Sequence, residues 1–217
     1  FSDTNTHFRG SVSYRTSGVT DAMRIPKDAF FAHQVMWDGW VTPEQDHTYI
    51  VGHWNYKSGT VKPVYVVSTG DRVDLLLNGK PVGTAKRDYQ YLFTFDSIAW
   101  QPGRLEAVSY RDGREVSRYA LETAGKPDHI KLTTIQNPEG FKADGADLAM
   151  VQVEVVDMQG RRCPLDNRDI RFNMYGEGEW LGGIAVSKTD YDYSKQTLKI
   201  DTRTPSDRPL LLDHSGN

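Results

Sequence analysis

The chain has one cysteine, Cys163, among 217 residues. A lone thiol excludes an intramolecular disulfide framework and a multi-cysteine metal site. Long apolar runs are missing too. No stretch approaches the roughly 20 residues that span a bilayer as a helix. Charge of one sign is not in excess: Lys and Arg number 26, Asp and Glu 29, and the formal net charge is -3. No basic footprint therefore points to a nucleic-acid partner. The nucleophile elbow G-x-S-x-G, the P-loop and the dinucleotide fingerprint GxGxxG are all missing, and no cofactor is implied. Neither an initiating Met nor a secretory leader precedes Phe1, so the chain reads as a mature or fragment sequence.

What is present suffices for a core. Hydrophobic residues make up 38% and charged residues 25%, and the length suits two domains of roughly 100 residues or one large one. Three pieces are distinguishable: 1–45, 46–125 and 126–217. The first holds one convincing helix, Ile25-Pro-Lys-Asp-Ala-Phe-Phe-Ala-His-Gln-Val-Met-Trp37. Pro26 suits a first helical turn, where its missing N–H costs nothing, and Asp28 favours the dipole there. Gly39 is expected to stop the helix. Phe30, Phe31, Val35, Met36 and Trp37 make it apolar around much of its circumference, so it needs a partner surface.

From residue 46 the period changes to two. Pro63–Thr69, Arg72–Leu77, Tyr91–Phe95, Leu105–Tyr110 and Glu115–Leu121 alternate or run apolar. Asn78-Gly79 and Asp112-Gly113 are hairpin turns, because those residues tolerate positive φ. About seven short strands with regular turns predict an antiparallel sandwich. Ala124-Gly-Lys-Pro127 reads as a linker. Beyond it, Ile130–Thr133, Leu148–Val156 and Ile170–Met174 predict a second immunoglobulin-like sandwich, with Leu198–Ile200 and Pro209–Leu212 as weaker strand candidates.

Few residues suggest chemistry. Asp3, Asn5 and His7 alternate, but a calcium loop would need Gly and Glu where Phe8 and Tyr14 stand. They are either a hydrogen-bonded loop or the lining of a site mouth. Glu177 and Glu179 are the nearest thing to paired carboxylates, yet their glycine flanks suggest an exposed bend. His33, His47 and His53 lack metal-ligand spacing. Five tryptophans could offer sugar-stacking platforms or fill sandwich cores.

Three stretches together resemble the C-terminal part of a glycoside hydrolase family 2 enzyme of the bacterial β-galactosidase type common in Bacteroidales. Ile25–Trp37 looks like the last helix of that family's (β/α)8 barrel. Val73-Asp-Leu-Leu-Leu-Asn-Gly-Lys80, with Gly103–Tyr110 and Ala124–Pro127, looks like the sandwich after it. Lys142-Ala-Asp-Gly-Ala-Asp-Leu-Ala-Met-Val-Gln-Val-Glu-Val-Val-Asp157 looks like the next immunoglobulin-like domain.

The resemblance implies a mainly β fold. Two tandem immunoglobulin-like antiparallel sandwiches would follow a barrel remnant, its last strand and helix. It also implies a retaining β-glycosidase acting on a plant, algal or host glycan, in the periplasm or secreted. The family's catalytic glutamates lie on earlier barrel strands, so no catalytic residue is expected here, nor a metal. Asp3, Asn5 and His7 would lie on the barrel's active-site face. Phe30, Phe31, Val35, Met36 and Trp37 would dock on a barrel supplied by an upstream segment. The alternative is a non-catalytic carbohydrate-binding or adhesion module of tandem sandwiches.

Overall fold

The structure is a computed structural model, and it describes residues 2, 18–21, 23–142, 144–166, 168–173, 175–176, 178–181 and 197–199. It is mainly β, with antiparallel sheets. Two compact units divide between Thr123 and Ala124.

The first unit opens with helix α1 (Asp28–Val41) and continues with seven strands. These are β1 (Thr48–Ile50), β2 (Val61–Ser68), β3 (Arg72–Leu77), β4 (Lys80–Lys86), β5 (Leu92–Ala99), β6 (Arg104–Arg111) and β7 (Arg114–Glu122). They form two sheets, ordered β1-β2-β5 and β4-β3-β6-β7. Strand β3 shows why. Val73, Leu75 and Leu77 are buried while Arg72, Asp74 and Leu76 face outward, the period of a half-buried strand. Inward residues of both sheets meet in one cluster that includes Val66, Leu75, Phe93, Leu105 and Trp54.

Both predicted hairpin turns have the required backbone. Asn78 and Gly79 have φ of 53° and 76°, and Asp112 and Gly113 of 50° and 77°, the paired positive values of a type I′ turn. Asn78 is used twice, because its side chain also donates to Pro102 O (3.0 Å) and accepts from Arg104 N–H (2.9 Å). The β2–β5 ladder shifts register between Lys62 and Val64. Pro63, which has no N–H to give a ladder, sits at that irregularity. Among the described residues before β2, only Thr48–Ile50 is strand. Trp54 instead turns into the core. Its indole N–H donates to Gln101 O (3.0 Å), and its own carbonyl accepts from the hydroxyl of Thr123 (2.7 Å).

The helix differs from its sequence outline at both ends. Lys27 is the N-cap, and Pro26 lies outside, in an isolated bridge to Thr20. Gly39 does not stop the helix. It lies inside the helix, and the ring of Tyr91 occupies the space a Cβ would take there. Thr42 ends it, with φ of -127° and ψ of 63° outside the helical region just before Pro43, since the residue preceding proline is pushed out of that region.

The second unit contains β8 (His129–Ile135), β9 (Met150–Val156), β10 (Asp169–Arg171) and β11 (Thr197–Lys199). Antiparallel pairs form between β8 and β9 and between β10 and β11. Ala124, Val155, Cys163 and Ile170 make its buried cluster. The linker reading of Ala124–Pro127 therefore shifts, since Ala124 is core and Gly125 N–H donates to Asp157 (2.7 Å). Asp157 is the polar centre of this unit. Burial pushes its carboxyl up. The N–H groups of Gly125 and Arg161, the Arg161 guanidinium and the Gln159 N–H outweigh this and bring it down to about 2. Pro209–Leu212 lies outside the described residues.

Candidate functional site

The helix α1 has two apolar faces, and only one is used inside the first unit. Phe31, Ala32 and Val35 pack on the outer side of the β1-β2-β5 sheet with Tyr49, Val67 and Leu92. Val35 is 3% exposed. Phe31 stacks on Tyr49 with ring centroids 4.7 Å apart, and Phe30 meets Phe31 edge-on at 5.5 Å. Gly39 lets the ring of Tyr91 lie against the helix backbone.

Polar contacts fix both ends of this face. Near the N-terminus, the Tyr49 hydroxyl donates to Asp28 (2.5 Å) and Gly52 N–H donates to the same oxygen (3.2 Å). Near the C-terminus, His47 Nε2 lies 3.0 Å from the Asp38 carboxylate. Just past the helix, Arg111 of β6 pairs with Asp46 (2.6 Å) and donates to Pro43 O (3.4 Å). Arg111 also donates to Thr69 O (3.1 Å), and the Thr69 hydroxyl donates to Asp46 (2.9 Å). Each carboxylate has a donor, so these groups serve as anchors.

The opposite face is bare. Trp37 is 61% exposed, Trp40 81% and Val41 52%. Spacings of three and four residues place them side by side on one helix face. Phe30 lies on the same side, seven residues before Trp37, and is half-buried, as is Met36.

The docking set predicted from sequence thus splits. Phe31 and Val35 pack on the chain's own sheet. Trp37 is exposed. Trp40 and Val41 were not in the set, and their signal was the continuation of the same spacing past Gly39. Asp3, Asn5 and His7 lie outside the described residues. From the stretch Phe1–His7 only Ser2 is described, in a parallel bridge to Thr20.

The remaining candidates have local roles. Glu177 is outside the described residues, and Glu179 is exposed. His33 Nδ1 lies 2.5 Å from Ala29 O, one turn back on its own helix. His53 stacks on Tyr56 at 4.5 Å and its Nδ1 accepts from Asn55 N–H (3.0 Å). Trp54 is buried in the core, and the Trp100 indole donates to Trp54 O (3.2 Å). Among the described residues, no group of three His, Cys, Asp or Glu side chains is placed to hold a metal ion.

The outer side of the β4-β3-β6-β7 sheet has the opposite character. Arg104 pairs with Glu106 and Glu122, both at 3.0 Å. Arg118 pairs with Glu106 at 3.2 Å and Glu115 at 2.7 Å. The Arg104 hydrogen bond holds the Glu106 carboxyl below its usual range, against a smaller opposing effect of burial. This is a charged, internally satisfied surface.

The architecture is therefore a tandem of antiparallel β units, the first carrying a helix with one free apolar face. Known proteins place it more narrowly. Residues 59–117 match a domain of unknown function (DUF4982), and residues 130–201 match the glycoside hydrolase family 2 C-terminal domain 5. A β-glucuronidase of Formosa agariphila is 45% identical over 175 residues, which is 80% of this chain and 17% of that protein. A β-galactosidase of Bacteroides ovatus is 30% identical over 168 residues, 77% of this chain and 19% of that one. A solved β-glucuronidase from glycoside hydrolase family 2 superposes with a TM-score of 0.85 at 40% identity. It covers 94% of this chain, which is 21% of that structure's chain. The chain corresponds to the C-terminal region of glycoside hydrolase family 2 proteins. It spans about a fifth of the length of these relatives.

Proposed function

We propose that this chain is the accessory C-terminal portion of a retaining β-glycosidase, held against a (β/α)8 barrel supplied by a preceding segment. The observation that carries the reading is the family 2 C-terminal domain at 130–201, joined to a unit whose helix has a second apolar face to cover. Retaining hydrolysis needs two carboxyl groups about 5–5.5 Å apart across the scissile bond. In the family resembled, both are barrel glutamates outside this chain. The chain supports that barrel, and alone it is inactive.

A relative named β-glucuronidase at 45% identity and one named β-galactosidase at 30% make β-glucuronides the first substrates to test and β-galactosides the second. The natural substrate is a plant, algal or host glycan, met in the periplasm or outside the cell. Asp3, Asn5 and His7 are the substrate-side candidates, because the active site of such a barrel lies at the C-terminal ends of its strands.

Aryl β-glucuronide and aryl β-galactoside assays on the complete gene product and on this chain alone test the reading. Turnover by the complete product only is expected. Turnover by this chain alone, abolished by Glu179→Gln, would overturn it.

A further inference from the structure

We propose that Asn78 is a latent deamidation site, held unreactive by the seat its side chain occupies and converted irreversibly once the first unit opens.

The chain has one Asn-Gly pair, Asn78-Gly79, at the tip of the β3–β4 hairpin. In such a pair the amide nitrogen of Gly79 can bond to Cγ of Asn78. The Nδ2 amino group leaves as ammonia, carrying the Gly79 proton, and a five-membered succinimide remains. Water then opens the ring. Attack at Cγ gives aspartate in a normal main chain. Attack at the main-chain carbonyl gives isoaspartate, with the chain running through the side-chain carbon. Glycine favours ring closure, because no Cβ shields its nitrogen and its backbone turns freely. Asn78 and Gly79 are both exposed, and the space where a Cβ of Gly79 would stand is open.

What the turn lacks is freedom of the Asn78 carboxamide. Its Nδ2 donates to Pro102 O (3.0 Å) and its Oδ1 accepts from Arg104 N–H (2.9 Å). Gly103 lies between these two, and a Cβ there would overlap the carboxamide. The main chain is tied as well, since Asn78 N–H donates to Arg104 O (2.8 Å). Ring closure needs the side chain to swing until Cγ faces the Gly79 nitrogen, and that swing breaks both side-chain bonds at once. The rate of conversion is then set by how often the turn leaves its seat.

Asp112-Gly113 supplies the contrast within the same sheet. It has the same turn, with φ of 50° and 77°. Its main-chain N–H is also held, by the Asp71 carboxylate (3.1 Å). Its own carboxylate is exposed and has no hydrogen-bond partner among the described residues. The two turns differ in the seat and not in the backbone.

Conversion of Asn78 has a structural consequence. An ionised aspartate cannot donate to Pro102 O and sets a carboxylate against that carbonyl. Isoaspartate adds a main-chain carbon between Leu77 and Lys80, whose pairing closes the hairpin. A first unit that stays open long enough for ring closure therefore does not return to the same fold, and its working lifetime becomes a matter of rate.

The test is peptide mapping by mass spectrometry, with isoaspartate resolved by chromatography, on the complete gene product aged at mildly alkaline pH. Asp112→Asn places an Asn-Gly pair in the unseated turn of the same molecule and serves as an internal clock. In the folded protein, position 112 of that variant is expected to convert at least about tenfold faster than Asn78, the scale set by two hydrogen bonds. In urea sufficient to unfold the chain, the two positions should convert at similar rates. Equal rates in the folded protein overturn the proposal, whether both are fast or both slow, because the seat then makes no difference. So does an Asn78 that stays slow in urea, where the seat is gone. A second measurement reads the consequence. Asn78→Asp should lower the thermal midpoint of the first unit, while Asp112→Asn should leave it unchanged. Asn78→Asp as stable as the parent would overturn the irreversible step. None of these readouts depends on glycosidase activity.

Discussion

The two units use the same antiparallel ladder but differ in what lies behind it. In the first, twelve buried residues, Trp54 and eleven from two facing sheets, form one cluster. In the second, the described residues give a cluster of four, and every residue of β8 is exposed. Ile130 and Leu132 alternate along β8 just as Val73 and Leu75 do along β3, yet they are 45% and 63% exposed against 0% for the pair in β3. Alternation sets which residues share a face. A second layer decides whether that face is buried.

That contrast sets the largest expected effect. Phe93→Ala in β5 removes a fully buried ring and should cost about 3–5 kcal/mol, seen as a lower denaturant midpoint for the first unit. Leu132→Ala, with the same loss of apolar atoms in kind, should stay within about 0.5 kcal/mol, as exposed positions do. Equal losses at the two sites would mean that β8 is covered in solution and would erase the difference between the units.

The next effect belongs to the second unit and depends on pH. Asp157 has a folded pKa of about 2 against an ordinary 3.8. The unfolded chain therefore binds the proton first on acidification. The stability that Asp157 contributes is present in full above the ordinary value, and it is lost as pH falls through that value toward about 2. Amide exchange at Gly125 and Arg161 should accelerate over this window. Asp157→Asn should remove the pH dependence while weakening protection at neutral pH. Exchange equally steep in the variant would place the responsible group elsewhere.

How far such features are legible in sequence varies with their range. The turns at Asn78-Gly79 and Asp112-Gly113 were readable because positive φ is a property of the residues themselves. The strands of the first unit were readable from their period. The faces of α1 were not, because Phe31 and Val35 differ from Trp37 only in which neighbour they meet, and Tyr49 and Val67 are assembled by the sheet. The anchors Asp38–His47 and Asp46–Arg111 join segments that only folding brings together. Gly39 was misread for the same reason: as a stop signal it is local, but the ring that requires it belongs to Tyr91.

Gly39 therefore gives the third test. In an exposed helix, alanine in place of glycine gains roughly 0.5–1 kcal/mol. Here the added methyl meets the outer end of the Tyr91 ring, which has to shift, and the displacement offsets that gain. Gly39→Ala should lower the melting temperature of the first unit, and adding Tyr91→Ala should recover part of that loss relative to Tyr91→Ala alone. A stabilising Gly39→Ala would show that the ring moves aside freely and that the helix sits less tightly on the sheet than Phe31 and Val35 indicate.

The smallest effect lies on the charged side of the same unit. Glu106 accepts from both Arg104 and Arg118 and has a 15% exposed side chain, while the two arginines are about half exposed. Water and salt screen most of the attraction at such a site, so Arg118→Ala should lower stability only slightly. What it does cost should shrink as ionic strength rises and the screening length falls below about 10 Å. Measuring the midpoint of Arg118→Ala at low and high salt, beside Trp37→Asp in the isolated chain, compares the two outer faces directly. The arginine variant should respond to salt and the tryptophan variant should not. A salt-independent loss in Arg118→Ala would instead assign its role to the packing of its aliphatic stem against β6, since a long charged side chain also covers apolar surface.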